Sequence, residues 1–309
     1  MASFLDLLPN DPRAQFGISE MLRQEHLSSA TRTAFTWSRH PGTVCLAVNK
    51  KYFAEAATNP NVVAIVCMRN AVTDAGGDKA LIVADKADEL FYAIHNLALH
   101  VHTGGGGLLV HGHIDPSARI ADNANIGPEV SIGANTVVGD GALITGPVHV
   151  GRDCTIHPRA TIGTDGLFSK GIAGKKVHVR HFGGVMIGDG SVVHTAANIA
   201  RSANHLEYTH VGNEVHVGIH VNIGHDCVIG DRTEISGMSL IAGRTEIGEG
   251  CWIGASAVIS NALHIGKRCK IRLGSVVIDD LPDDADVSGN FAVSHTARLK
   301  QHLAGKQKQ

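Results

Sequence analysis

The 309-residue chain is poor in rings, with Phe, Trp and Tyr making up only 4% of it. Aromatic side chains dominate the burial of ordinary cores, so their scarcity asks for a core too narrow to hold them. Cysteine is sparse and scattered: Cys45, Cys67, Cys154, Cys227, Cys251 and Cys269 form no C-x-x-C pair, which argues against a zinc ribbon or a disulfide framework. No apolar run approaches the roughly 20 residues of a membrane span. The opening "MASFLDLLPNDPRAQ" carries acidic residues and lacks a signal-peptide core, so the chain reads as cytoplasmic. Neither sign of charge is in excess, with 27 basic against 29 acidic residues, and nothing in the bulk charge suggests a nucleic-acid binder. What is present is an apolar fraction of 43%, adequate for a real core in one large or two ordinary domains.

That apolar content is periodic. Stepping by six from Ile114 gives Ile120, Ile126, Ile132, Val138, Ile144, Val150, Ile156 and Ile162. The series resumes at Ile187 and runs to Val277, broken only at His205, so 24 of 25 slots are aliphatic. Neither a helix of 3.6-residue period nor a single long strand predicts this. Four residues after each aliphatic comes a second slot for small side chains, such as Ala118, Thr136, Ala160, Val221, Ser239 and Ala257. Four cysteines (Cys154, Cys227, Cys251, Cys269) fall in it, which makes them core filler rather than ligands or nucleophiles. Leu263 is the one large occupant. The period describes a β-solenoid of short parallel strands joined by tight corners, a prism too narrow for rings.

Three parts follow. Residues 1–107 lack the hexad: "TVCLAV", "NVVAIVCM" and "KALIVA" read as buried strands and "KADELFYAIHNLALH" as an amphipathic helix, giving a small α/β domain that ends in a linker at Gly104–Gly107. Residues 108–280 are the coil, about eight turns of it, interrupted from Thr164 to about Gly184 by an insertion looping from a corner. In 281–309, "LPDDADVSGNFAVSH" leaves the coil and "TARLKQHLAGKQKQ" forms a short basic helix.

The hexad resembles that of the hexapeptide-repeat acyltransferases. The resemblance implies a left-handed parallel β-helix with three hexads per 18-residue turn, and homotrimers with active sites in clefts between adjacent prisms. Within them the chain is most similar to UDP-3-O-acylglucosamine N-acyltransferase, and the similarity covers most of its length. "VNKKYFAEAA" looks like that family's uridine-binding stretch, with Asn49 and Tyr52 in the places of its Asn and Tyr. The segment opening at "IGTDGLF" and closing at "GGVMIGD" resembles its extruded loop, and "VNIGHDCVIGD" resembles the catalytic hexads of this enzyme and of the related O-acyltransferase. There are departures: Leu46 stands where the family tends to have Phe, "ARS" (Ala200–Ser202) where it has "DRG", and Ala262 where it has a second functional histidine, with His264 two places off. A paralogue acting on another nucleotide-linked amino sugar fits these differences.

Acyl transfer from a thioester to an amine needs a base for the amine proton and a donor for the oxyanion. His225 is the candidate base, since imidazole titrates near neutrality. One 18-residue turn onward lies Gly243, whose backbone N–H then sits about one strand spacing, roughly 4.8 Å, above it and is the candidate oxyanion donor. Asp226 orients the ring only if a corner bends the chain between the two, because consecutive strand residues face opposite ways. His205, one turn below the catalytic hexad by count, and His220 are candidate substrate contacts; the plainer readings are a loop residue and a solvated histidine. Lys267, Arg268 and Arg272 in "GKRCKIR" are either a solvated face or a landing site for the donor, the phosphates of coenzyme A or an acidic acyl carrier protein.

The expected activity is N-acylation of a nucleotide-linked amino sugar in lipid A-like or surface polysaccharide synthesis, with no bound cofactor and no metal. The alternatives are an acetyl-CoA-dependent sugar N- or O-acetyltransferase, a non-catalytic β-helix platform, and a metal enzyme resembling the γ-class carbonic anhydrases. For the last, His194 and His225 fit two ligand positions, but the third falls on Gly230.

Overall fold

The computed structural model describes residues 11–73, 77–97, 112–172 and 174–289, with the single positions 294 and 296. The linker at Gly104–Gly107 and almost all of the terminal basic segment lie outside these.

The N-terminal unit is a five-stranded sheet. Its interior strands Ala80–Ala84, Val62–Cys67 and Thr43–Ala47 pair in parallel, with Ile18–Leu22 antiparallel on one edge and Arg32–Thr33 on the other. Alternate residues of the buried strands feed two cores. Val44, Leu46, Ala64 and Val66 meet Leu90, Phe91 and Ile94 of helix Ala87–Leu97 on one face. On the other, Cys45, Ala47, Ile65 and Cys67 meet Phe53 and Ala56 of helix Lys50–Thr58. A strand covered on both faces has no polar side to alternate with, which is why these segments read as continuous apolar runs.

The rest is a left-handed parallel β-helix, a prism walled by three parallel sheets of eight, seven and nine strands. Strands are two to four residues long, and their inward aliphatics form one continuous column from Val130 to Val277, with the small-slot residues, the four cysteines among them, filling the corners. Each turn also needs a left-handed residue at its corners. The corners at Asn135, Asp153, Glu214, Arg232 and Arg268 form one column and those at Arg159, Ala196, His220, Met238 and Ser256 another. A non-glycine residue in that conformation costs roughly 1–2 kcal/mol; the ladder hydrogen bonds on either side offset it.

Where the coil is uninterrupted its register is 18: Asn222 pairs with Leu240, Leu240 with Val258, Val258 with Val276. Two insertions break this below. Thr161 pairs with Asn198, 37 residues on, because 164–183 leaves the coil and folds a hairpin from Ser169–Ile172 and Lys175–His178. Asn198 pairs with Asn222, 24 residues on, because 201–207 is looped out. The placing of His205 one turn below the catalytic hexad is therefore incorrect. The residue beneath Ile223 is Ile199, and His205 lies in the second loop. That loop adds six residues, so the hexad phase survives while the turn count does not. At the far end the coil runs past residue 280: Leu281 bridges to Ile265, and Asp286–Val287 pairs with Lys270–Ile271.

Candidate active site

One edge of the prism differs from the other two. Strands Thr161–Thr164, Asn198–Ala200, Asn222–Ile223, Leu240–Ile241 and Val258–Ile259 stack in a single sheet. From their ends leave, in order, the hairpin insertion, the 201–207 loop, the corner His225–Asp226, the corner Gly243–Arg244 and the corner Asn261–Ala262. Both insertions and both halves of the candidate chemistry thus share one edge.

Asp226 adopts the left-handed conformation (φ 60°), the bend that lets neighbouring side chains meet. His225 Nδ1 lies 2.6 Å from Asp226 Oδ2. The carboxylate is almost completely enclosed, 6% exposed, and it accepts further hydrogen bonds from Ser202 Oγ and from Ala203 N–H at 3.2 Å, while its own N–H donates to Thr209 Oγ1 at 2.9 Å. Burial alone would raise its pKa, but the bonds from His225, Ser202 and Ala203 outweigh it and hold the acid below the ordinary carboxylate value. An ionised Asp226 keeps the proton on Nδ1 and leaves Nε2 bare as a base.

Nε2 faces Gly243. A Cβ built on that glycine would lie 2.9 Å from Nε2, so no larger residue fits while the ring stays in place. Arg244 N–H donates to His225 O at 2.8 Å and Gly243 O accepts from Ala262 N–H at 3.0 Å, which fixes the corner from both sides. The Gly243 N–H meets no acceptor among the described residues, leaving it to hold an oxyanion.

The hairpin insertion closes over this edge. Phe168 stacks on the His225 ring, centroids 5.4 Å apart and 3° from parallel, and His181 meets that ring edge-on at 5.2 Å. Asp165 anchors the insertion, accepting from Arg201 Nε at 2.8 Å and His178 Nε2 at 3.0 Å. Asp165, His178 and His181 are also close enough to share a metal ion, but the carboxylate already has a guanidinium partner, and the His181 Nδ1–H is committed to the Val179 carbonyl at 3.1 Å. Burial pushes the His181 pKa down to about 4, so the ring is neutral at physiological pH.

Both insertions also seat the N-terminal unit. Asn204 Oδ1 accepts from Phe35 N–H, Glu207 Oε1 from Ser38 Oγ and Arg39 N–H, and Arg180 O from His95 Nε2. Arg244 reaches across from the catalytic corner, pairing with Glu55 at 3.1 Å and lying 3.7 Å over the Trp37 ring. Between the two parts is a cavity of about 340 Å³ whose wall includes Trp37, Leu46, Tyr52, Phe168, His225 and Gly243.

Tyr52, His225 and Gly243 therefore meet at one cavity, with Asp226 behind the imidazole. Asn49 is elsewhere engaged: it is the N-cap of helix Lys50–Thr58, its Oδ1 accepting from Tyr52 N–H at 3.0 Å, and it does not line the cavity. His220 sits at an exposed corner of a different column. Lys267 pairs with Glu249 one turn below, and Arg268 and Arg272 pair with Asp284 and Asp286 of the acidic segment folded back on them. His194 stacks on His157. Ser202, Phe168, His181, Trp37 and Arg244 were not among the sequence candidates, although Ser202 lies in "ARS", Phe168 in "IGTDGLF" and Arg244 next to Gly243.

Family models agree with this architecture. "Bacterial transferase hexapeptide (six repeats)" matches residues 129–164 and "Hexapeptide repeat of succinyl-transferase" residues 244–278. The chain carries hexapeptide repeats of the bacterial transferase type and is an acyltransferase. Within that class it is similar to the UDP-3-O-acylglucosamine N-acyltransferases. It is 27% identical over 248 residues to the UDP-3-O-acylglucosamine N-acyltransferase of Herminiimonas arsenicoxydans, covering 72% of this chain and 70% of that protein. It is 38% identical over 99 residues to the Shewanella denitrificans protein of the same name, covering 32% and 28%. Among solved structures, UDP-N-acetylglucosamine acyltransferase from Campylobacter jejuni is 23% identical with a TM-score of 0.45, over 62% of this chain and 83% of that one.

Proposed function

We propose that the protein transfers an acyl group from a thioester, carried by acyl carrier protein or coenzyme A, to the amine of a nucleotide-linked amino sugar. The observation that carries this reading is the juxtaposition of a bare imidazole nitrogen and an unengaged backbone N–H, His225 Nε2 and Gly243 N, at a cavity that Tyr52 also lines. The amine attacks the thioester carbon and His225 Nε2 takes its proton, with Asp226 steadying the imidazolium that results. The Gly243 N–H holds the oxyanion of the tetrahedral intermediate. Collapse breaks the C–S bond, and the imidazolium returns its proton to the departing thiolate. Tyr52, beside Leu46, offers a ring face for the base of the nucleotide.

The relatives' names support a UDP-linked acceptor and lipid A-like synthesis, with surface polysaccharide synthesis as the wider setting. A homotrimer is consistent with the exposed apolar side chains Ile219, Met238, Leu240, Leu273 and Val276 along the coil, which a neighbouring prism would cover. No helix among the described residues is long and apolar enough to cross a membrane. The test is an assay of free thiol release with short- and long-chain acyl thioesters against UDP- and dTDP-linked amino sugars. We expect amine-dependent thiol release that His225→Ala abolishes; no release with any pair, or turnover unchanged in the variant, overturns the reading.

A further inference from the structure

The cavity wall carries two cations, Lys170 and Arg244, and no carboxylate. The two come from different parts of the fold, the extruded hairpin and the corner directly after Gly243, and converge on the space between Tyr52 and His225. Lys170 Nζ stands 5.4 Å from the centre of the Phe168 ring, the same ring that stacks on His225, and makes no ion pair with a carboxylate among the described residues. Arg244 is held differently. Its guanidinium carbon lies 3.7 Å over the centre of the Trp37 ring, which itself stacks on Phe35 at 4.8 Å, and one nitrogen is tied to Glu55. A planar fork so braced is pre-organised to give its remaining N–H groups to an anion. Cations lining a cavity that has no acid in its wall call for negative charge in the ligand.

A nucleotide-linked sugar carries its charge in the diphosphate between base and sugar, the part that must cross the middle of the cavity if the base rests on Tyr52 and the amine reaches His225. We propose that Lys170 and Arg244 form a two-sided clamp for that diphosphate, Arg244 by hydrogen bonds and Lys170 as a point charge on the opposite wall. This assignment rests on the nucleotide-sugar reading above. It also gives the insertion a substrate-binding role, since Lys170 reaches the cavity only when the hairpin lies over His225.

The same cations would suit the phosphates of a coenzyme A donor, and the experiment separates the two sources. Full-length protein is titrated calorimetrically with UDP, uridine and coenzyme A, as wild type, Lys170→Met, Arg244→Met and Arg244→Lys, each checked for native fold by circular dichroism. The clamp predicts that UDP binds the wild type more tightly than uridine does. It also predicts that each methionine variant loses roughly tenfold in UDP affinity while keeping its uridine affinity, and that Arg244→Lys falls between. Wild type that binds neither uridine nor UDP removes the nucleotide reading and the clamp with it. Variants that keep the wild-type UDP affinity, or that lose coenzyme A instead of UDP, overturn the clamp and leave the acyltransferase reading standing. Because Lys170 takes no part in the Arg244–Glu55 ion pair that ties the two parts, its variant decides the matter even if Arg244→Met does not fold.

Discussion

Two kinds of corner run up this prism, and they are built from the same backbone. At the corners in line with Arg232 and Met238, a left-handed residue turns the chain, the ladder resumes, and the side chains point into solvent or pair with a neighbour one turn away, as Arg232 does with Glu249. At the corner of His225–Asp226 the same left-handed turn puts a carboxylate under an imidazole, and the two turns below it have been opened to let chain out. The geometry of the turn is common to both. What differs is what covers it: Phe168 and His181 pack on the His225 ring and Ser202 bonds Asp226, all from the extruded segments, and an acid that would be solvated on a plain corner is buried. Chemistry here comes from burial supplied by insertions, laid on a corner the repeat provides everywhere.

The comparison is broken most completely by removing the imidazole that this corner sets on a buried carboxylate. His225→Ala is expected to lower turnover by roughly 10²- to 10⁴-fold with the melting temperature little changed. Gly243→Ala sharpens the point. Its backbone is not in the left-handed region, so alanine is tolerated conformationally, but the added methyl would stand 2.9 Å from His225 Nε2. Turnover should fall to a similar degree while the coil stays folded. A Gly243→Ala enzyme with wild-type turnover in the thiol-release assay would show that the imidazole does not work against that corner.

A second pair of changes separates scaffold from cover. Ile259→Ala removes a fully buried aliphatic from the regular part of the column and should cost about 2–5 kcal/mol of unfolding free energy, read as a shift of the denaturation midpoint. Replacing 169–178 by a short glycine linker removes Phe168's support and Lys170 but no inward aliphatic of the coil. It should cost the coil little stability and most of the activity. Equal destabilisation by the two changes would mean that the hairpin is part of the scaffold.

The same contrast explains what could be read beforehand. Nearly every inward residue of the coil was legible because the period repeats the same environment, and Gly243 was found by counting because no insertion separates it from His225. His205 was misplaced for a related reason: a loop of six residues is invisible to a six-residue period. The pairing of Arg268 and Arg272 with Asp284 and Asp286 needed the knowledge that the coil continues beyond residue 280. Ser202, Phe168 and His181 reach the site through insertions whose path obeys no period. Arg244 meets Glu55 and Trp37 across nearly two hundred residues of chain, a contact that only the docking of the two parts creates.

The smallest expected effect concerns His181, the buried ring that no plain corner possesses. It faces Asp165, His225 and Asp226, with the His178 ring stacked 6.2 Å away and Arg201 donating both to Asp165 and to the His181 carbonyl. Asp165 and Asp226 favour its protonation, but burial outweighs them: the folded protein takes up this proton only near pH 4, whereas the unfolded chain does so near 6.5. Between those values the unfolded state binds more protons, so the histidine's contribution to stability is present above about pH 6.5 and is lost as the pH falls towards 4. The loss is at most roughly 3 kcal/mol. The depressed carboxylates Asp165 and Asp226 lose their contribution only at lower pH, as the pH falls through their own folded values. Urea unfolding of wild type and His181→Gln at pH 7.5 and pH 4.5 isolates the ring, because glutamine keeps a polar group there without a titrating one. The variant should lose less stability than wild type between the two pH values; an identical loss would mean that the burial of the His181 ring contributes nothing to the pH dependence.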